Sequence, residues 1–135
     1  MVLVLGKHDL KEIAEHSKSL FPVEACGILV GRKEDDEKIV EKVYRARNIF
    51  ASQSRYQIDP EELWKIFDEA DRESKEVIGF YHSHPYWSAC VSEIDRSSAF
   101  YPGCSYVVYS NLNDEVRSYL WNGEEFEEER IKIVR

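Results

Sequence analysis

Residues 76–95 read EVIGFYHSHPYWSACVSEID, and the interpretation of the whole chain works outward from this stretch. Its first part, residues 76–84, is a mostly apolar run that ends at a proline, which is typical of a strand. Side chains alternate between the two faces of a strand, so His82 and His84 should point the same way while Ser83 points away. The stretch therefore predicts two imidazoles that converge on one point.

A third candidate metal ligand, Asp95, follows the histidine pair, with ten residues between it and His84. Asp95 lies in the first turn of a helix predicted over residues 92–101, with Ser92 as its N-cap. Three protein ligands leave the fourth tetrahedral position for water, as in catalytic zinc sites. We predict one Zn²⁺ per chain, held by His82, His84 and Asp95. The alternatives are core histidines without a metal, or another divalent ion on the same ligands.

Length and charge limit the class of protein. The chain has 135 residues, of which 43% are hydrophobic, and we expect a single domain over residues 1–135. No apolar run approaches the ~18 residues of a membrane span, and the start is too short for a signal peptide, so we expect a cytoplasmic protein. The net charge of −8 argues against a nucleic-acid partner, which would need a positive surface.

The three cysteines are Cys26, Cys90 and Cys104, and none of them forms a C-x-x-C pair. Charged residues make up 33% of the chain, which is typical of a thermophile. In such organisms an intracellular disulfide can form, and Cys90 with Cys104 is the pair we predict. The alternative is two buried free thiols. Cys26 lies in an apolar strand and should serve packing.

The rest of the chain mixes helices and strands, which predicts an α/β (α+β) fold with one sheet and helices packed on it. A first strand should occupy the apolar start of the chain. Helices are predicted over residues 8–20 and from Asp59-Pro60 onward, and further strands over 25–31, 39–49, 106–109, 116–121 and 126–134. In the helices, we expect Trp64 and Phe67 to be core residues, and His8 and His16 to face solvent.

A metal-activated water needs an acidic side chain that accepts its proton and returns it. Two glutamates are candidates by position. Glu93 is close to Asp95 in sequence but should face another side of the helix. Glu24 lies at the mouth of the strand predicted over residues 25–31 and could project from a rigid element into a cleft. Spacing alone does not choose between them.

Three segments together resemble the JAMM (MPN-plus) metalloprotease family in its minimal prokaryotic or archaeal form. They read FPVEACGILVG at residues 21–31, GFYHSHP at 79–85 and SEID at 92–95. The resemblance implies a cytidine-deaminase-like JAMM/MPN fold with a mixed, curved sheet flanked by helices. It also implies a zinc-dependent peptidase or isopeptidase that cleaves after the C-terminus of ubiquitin-like modifier proteins, in conjugates or precursors. Within that family, Glu24 would be the general acid/base, and Ser92 would stabilise the oxyanion.

One departure from the family lies in the loop before Ser92, where Val91 replaces a proline that is common in relatives. The same loop carries Tyr86 and Trp87, which are candidates to bind an extended substrate tail or else pack on the domain. A non-catalytic scaffold of the same fold is the alternative function, with a homodimer as one option for assembly. A zinc deaminase is disfavoured because no H-x-E with P-C-x-x-C is present.

Overall fold

The computed structural model describes residues 1–135 and contains seven strands and three helices. Every element predicted from the sequence is present, and the strand that carries the histidines has the predicted bounds. The strands are β1 (Val2–Gly6), β2 (Cys26–Glu34), β3 (Glu37–Ala46), β4 (Glu76–His84), β5 (Ser105–Ser110), β6 (Glu115–Trp121) and β7 (Phe126–Val134). The helices are α1 (Lys7–Leu20), α2 (Pro60–Arg72) and α3 (Glu93–Ser98). None of them combines the length and apolarity that crossing a bilayer requires.

All seven strands belong to one mixed sheet, in the order β1-β3-β2-β4-β5-β6-β7. Strand β1 pairs in parallel with both β3 and β7, and β4 pairs in parallel with β5. The remaining neighbours are antiparallel. The predicted mixed, curved sheet is therefore confirmed, and its curvature continues until pairing between β1 and β7 closes it into a barrel.

Helices cover both faces of this sheet. Helix α1 packs on a core cluster that includes Leu3, Leu29 and Tyr81. Helix α2 packs on a second cluster on the opposite face, which includes Cys26 and Phe80. The predicted packing role of Cys26 is thus confirmed. His82 pairs with Cys26 across the strands, so the histidine side chain emerges on the face that carries α2.

Two predicted environments of helix residues are wrong. Trp64 is 67% exposed, because the buried stripe of α2 runs through positions 63, 66, 67 and 70 and leaves position 64 beside it. Phe67 packs against the core, as predicted. His16 is only 6% exposed, and its Nδ1 lies 2.6 Å from the phenolic oxygen of Tyr81. A partner 65 positions away in the chain gives no local sequence signal.

Helix α3 begins at its predicted N-cap, Ser92, but ends three residues early, at Ser98. The reason is a competing acceptor downstream. The backbone N–H groups of Phe100 and Tyr101 both donate to the phenolic oxygen of Tyr106, at 3.2 and 3.1 Å. The chain therefore leaves the helix to reach β5.

The predicted bond between Cys90 and Cys104 is not formed, and all three cysteines are free. Cys90 lies near Arg117, which pairs with Val108 on β5, whereas Cys104 immediately precedes that strand. Val108 and Cys104 are four residues apart, which corresponds to ~13 Å along a strand. A disulfide needs Cα atoms within ~7 Å of each other. Because Cys90 is exposed, the alternative of two buried thiols also fails.

Candidate active site

The end of the pairing between β2 and β4 positions Glu24. Cys26 is the first paired residue of β2 and lies opposite His82. Just beyond this pair, the Ala25 N–H donates to Ser83 Oγ at 2.8 Å, and the Ser83 N–H donates to the Ala25 carbonyl at 3.0 Å. Glu24 precedes this contact, and its own N–H donates to the Ser52 carbonyl at 2.8 Å. Glu24 is buried and its carboxyl group feels the charge of Asp95, so it lies beside the ligand side chains.

His82, His84 and Asp95 are all buried, and their side chains converge. The two Nε2 atoms are 3.3 Å apart. Each of them lies 3.1 Å from one carboxylate oxygen of Asp95. Burial would raise the pKa of Asp95, but the two imidazoles outweigh it and hold this pKa well below its usual range. The carboxylate is therefore charged throughout the physiological pH range.

The ring orientation of His84 suits a metal ligand. Its Nδ1 lies 2.7 Å from the carbonyl oxygen of Ser88. A carbonyl can only accept, so Nδ1 carries the proton and the Nε2 lone pair of the neutral ring faces His82 and Asp95. Such a partner on the second ring nitrogen is a general feature of metal-binding histidines. The loop after β4 thus fixes which nitrogen is available.

Ser92 and Asp95 form a reciprocal cap at the start of α3. The Asp95 N–H donates to Ser92 Oγ at 3.0 Å, and the Ser92 N–H donates to a carboxylate oxygen of Asp95 at 2.9 Å. Because Ser92 Oγ acts as an acceptor in this cap, its own O–H remains free to donate to a substrate oxygen.

Glu24 is 1% exposed, and its Oε1 has no hydrogen-bond partner. Burial, and after it the negative charge of Asp95, raises the pKa of Glu24 to about 9. Unpartnered buried carboxyl oxygens are costly and call for an explanation. A cation on the neighbouring ligands would favour the carboxylate form, because an opposite charge nearby lowers a carboxyl pKa.

The donor set also fits zinc by distance. Ligand atoms ~2.0–2.1 Å from a tetrahedral centre lie ~3.3 Å from each other, which is close to the separations among these three side chains. Together with the unpartnered Glu24 oxygen, this agreement indicates that the residues present can hold a single metal ion.

Aromatic side chains flank the ligands on two sides. Tyr86 and Trp87 are 49% and 39% exposed, and the Trp87 ring lies 5.7 Å from that of His84. Phe21 packs edge-on against Tyr86 at 5.3 Å. On the other side, Tyr56 stacks on His82 with ring centroids 4.5 Å apart. Sequence reasoning missed Phe21 and Tyr56. The only signal for Tyr56 was an aromatic residue in an otherwise polar segment.

The alternative base, Glu93, does not approach the ligands. Its side chain is 89% exposed and pairs with Arg96 at 3.1 Å. Position 93 begins α3 and faces solvent, whereas Asp95 is buried against the two histidines. Of the two glutamates considered, Glu24 is therefore the one that shares the buried space with the ligands.

His82, His84 and Asp95 are a group that could hold one metal ion, and a buried carboxyl group lies beside them. This combination is typical of mononuclear hydrolytic metal centres. The chain belongs to the family described as prokaryotic homologs of the JAB domain, whose sequence profile matches residues 6–122. The resemblance to the JAMM family is thereby confirmed.

Individual relatives agree with this assignment. The desampylase of Haloferax volcanii is 32% identical over 113 residues, which cover 83% of this chain and 79% of the relative. The CysO-cysteine peptidase of Mycobacterium tuberculosis is 29% identical over 139 residues, which cover 98% and 92% of the two chains. A solution structure of a protein from Desulfitobacterium hafniense superposes with a TM-score of 0.88 at 30% identity, covering 100% of this chain and 94% of the other.

Proposed function

We propose that this chain is a zinc-dependent peptidase or isopeptidase that hydrolyses the bond after the C-terminus of a ubiquitin-like protein. The observation that carries the proposal is the convergence of three buried ligand atoms beside the unpartnered carboxyl group of Glu24. Membership of the JAB family and relatives named a desampylase and a CysO-cysteine peptidase support this choice of reaction.

The metal would be held by His82, His84 and Asp95. A zinc ion bound there supplies Lewis acidity, which makes a water molecule acidic near neutral pH and polarises a carbonyl group. The chain itself supplies the orientation of the ligands. Ser88 fixes the tautomer of His84, and the cap on α3 fixes the carboxylate of Asp95.

Glu24 would act as the proton carrier. It would accept a proton from the attacking water while the water oxygen bonds to the carbonyl carbon of the substrate. As the carbon–nitrogen bond breaks, Glu24 would pass that proton to the leaving nitrogen. Burial on a strand end suits this role, because the carboxyl group is held in one place and shielded from competing solvent.

Ser92 would stabilise the substrate oxygen as it becomes negative. Its O–H is free to donate, and its position is fixed by the cap with Asp95. A single donor of this kind is worth ~2.7–4 kcal/mol in other hydrolases. The same helix start would therefore present both a metal ligand and an oxyanion donor.

The test compares Glu24→Gln, His82→Ala and the control Glu93→Gln. We would measure zinc per chain by elemental mass spectrometry, and cleavage of a ubiquitin-like protein fused through its C-terminus to a reporter. Glu24→Gln should retain zinc and lose cleavage, His82→Ala should lose both, and Glu93→Gln should retain both. Full activity of Glu24→Gln, or no zinc uptake by the wild type, would refute the mechanism.

The wider setting is part of the same proposal. We expect the protein to act in the cytoplasm on ubiquitin-like proteins and their conjugates rather than on nucleic acid, because its net charge of −8 repels phosphate. Free cysteines agree with a reducing compartment. Whether a homodimer forms would be decided by sedimentation at several concentrations.

A further inference from the structure

The two histidine ligands are oriented in different ways. His84 donates its Nδ1 proton to the carbonyl of Ser88 at 2.7 Å. The Nδ1 atom of His82, in contrast, is buried and has no hydrogen-bond partner. Buried polar atoms of this kind are rare, and metal-binding histidines usually have a partner on the second ring nitrogen. The ring of His82 must therefore be oriented by a different contact.

The ring of Tyr56 provides this contact. It stacks on the ring of His82, with centroids 4.5 Å apart and 18° between the two planes. Trp87, by comparison, lies 5.7 Å from His84 and is tilted by 49°. The torsion that turns a histidine ring about its Cβ–Cγ bond has broad minima, so a ring without a neighbour would be loosely oriented. A flat ring at stacking distance blocks this rotation and keeps His82 Nε2 beside Asp95, at 3.1 Å.

Tyr56 itself lies in a segment that is held in place. Asn48 is buried, and its side-chain amide donates to the carbonyl of Arg55 at 3.0 Å and to that of Glu24 at 3.1 Å. Its Oδ1 accepts a hydrogen bond from the backbone N–H of Gln57 at 3.1 Å. Both chain neighbours of Tyr56 are thus bonded to one side chain. The segment is therefore fixed beside the start of β2, although it belongs to no helix or strand.

The stack should also favour the metal-bound form of His82. The face of a tyrosine ring is negative, and it attracts groups that carry positive charge. An imidazole that binds a dication gives up electron density to it, so the ring becomes more positive when the site is filled. The contact between Tyr56 and His82 should therefore strengthen on metal binding and contribute to the affinity.

We propose that Tyr56 is a positioning residue of the metal centre. Its ring holds the imidazole of His82 in the ligating orientation, in place of the hydrogen bond that orients His84. The proposal rests on the metal site of the function proposed above. It gives the segment between β3 and α2 a role in the site, and Tyr56 performs this role through His82 without touching the substrate.

The test compares Tyr56→Leu with Tyr56→Phe. Leucine fills part of the space but has no flat face, whereas phenylalanine keeps the ring. The zinc affinity of the full chain would be measured by competition with a chromophoric chelator at constant pH. Loss of a group that orients a metal-binding histidine weakens binding by about 10–100-fold, so Tyr56→Leu should lose about tenfold or more in zinc affinity. Tyr56→Phe should remain within about twofold of the wild type, because the orienting ring is retained.

Tyr101→Leu is the matched control for the loss of aromatic packing. Tyr101 belongs to the same apolar cluster as Tyr56, and its ring packs against Phe67 and Phe80 at 5.6 and 5.2 Å rather than against a metal ligand. Denaturant unfolding of the zinc-free proteins would compare the stability that each leucine variant loses. Only Tyr56→Leu should also lose zinc affinity.

A spectroscopic measurement separates orientation of the ligand from a general loss of packing. The visible absorption of Co²⁺ bound in place of zinc depends on its coordination geometry. At saturating Co²⁺, the spectra of Tyr56→Phe and Tyr101→Leu should match that of the wild type, whereas Tyr56→Leu should show altered band positions or intensities. An unchanged Co²⁺ spectrum of Tyr56→Leu, or a zinc affinity equal to that of Tyr101→Leu, would refute the positioning role.

The outcomes separate this proposal from the proposed function. If the wild type binds zinc and cleaves the reporter fusion but Tyr56→Leu behaves like Tyr101→Leu, the role of Tyr56 is refuted and the function stands. If Tyr56→Leu weakens zinc binding and alters the Co²⁺ spectrum but the wild type never cleaves the fusion, the role of Tyr56 stands and the function fails. Failure of the wild type to bind zinc would overturn both.

Discussion

Ser92 and Asp95 each accept a hydrogen bond from the other's backbone N–H, at 3.0 and 2.9 Å. The proposed oxyanion donor and a proposed metal ligand are thus locked together by one turn of helix. A disturbance of either residue should be transmitted to the other, so the structural and catalytic contributions of Ser92 need to be separated experimentally.

We expect Ser92→Ala and Ser92→Gly to differ in stability but not in activity. Alanine removes the cap and should cost ~1 kcal/mol of unfolding free energy, whereas glycine at an N-cap should cost only a few tenths of that. Neither variant has a side-chain donor, so cleavage should fall by about 10²–10³-fold in each. Denaturant unfolding and kcat provide the two measurements. Normal activity in Ser92→Gly would show that the serine is only a cap.

Metal binding should release a proton from Glu24. Without metal, its pKa of about 9 means that the group is protonated at neutral pH. A bound dication would favour the carboxylate, so between pH 6 and 8 the wild type should release about one proton more than Glu24→Gln. Titration calorimetry in buffers of different ionisation enthalpy counts these protons. Equal counts for the two proteins would contradict the expected coupling.

A buried ion pair inside the barrel should be important for stability. Lys38 is fully buried, and its Nζ lies 3.1 Å from Glu129, which also accepts hydrogen bonds from Ser105 and Ser118. Lys38→Met would leave the carboxylate unpaired and should cost ~3–5 kcal/mol of unfolding free energy. Lys38→Met combined with Glu129→Leu should recover much of that loss.

Denaturant unfolding measures these differences, and an exposed pair provides the control. Lys11 lies 3.7 Å from Glu15 on the surface of α1. Lys11→Met should change the unfolding free energy by less than ~1 kcal/mol. A loss of similar size in the two single variants would show that burial does not strengthen the dependence on Lys38.

The buried His16 should make the protein less stable in mild acid. Burial, and then the charge of Arg45, lowers its pKa to about 4, from 6.5 in the unfolded chain. Between these values the unfolded state binds more protons, so the unfolding free energy should fall by roughly 3 kcal/mol as the pH drops from 6.5 to 4. His16→Asn should remove this part of the pH dependence in urea titrations. If the unfolding free energies of the wild type and His16→Asn fall equally with pH, the predicted role of His16 is refuted.

The sequence predicted those structural features that depend on residues close together in the chain. The apolar run before Pro85 predicted the bounds of β4, and alternation along that strand predicted the shared direction of His82 and His84. Asp59 and Ser92 were predicted correctly as N-caps, because a short polar side chain before a helix has a specific hydrogen-bonding role. These features depend on a few neighbouring residues, so they can be inferred from spacing alone.

Features that depend on distant partners were not predictable in this way. The burial of His16 depends on Tyr81, and the early end of α3 depends on Tyr106. The contact between Tyr56 and His82 joins a polar segment to a strand, and no periodic pattern indicates it. The choice of Glu24 over Glu93 required either family resemblance or the tertiary structure, which buries Glu24 near Asp95 and leaves Glu93 exposed.

Barrel closure also affects how the chain folds during synthesis. Strand β1 pairs with β3 over only three residues, but with β7 over five, and β7 lies more than a hundred positions later. On the ribosome, β1 must therefore wait for most of the chain to emerge before it gains its main partner. Contacts of such long range slow folding. The first strand to be translated should be among the last to become fully ordered.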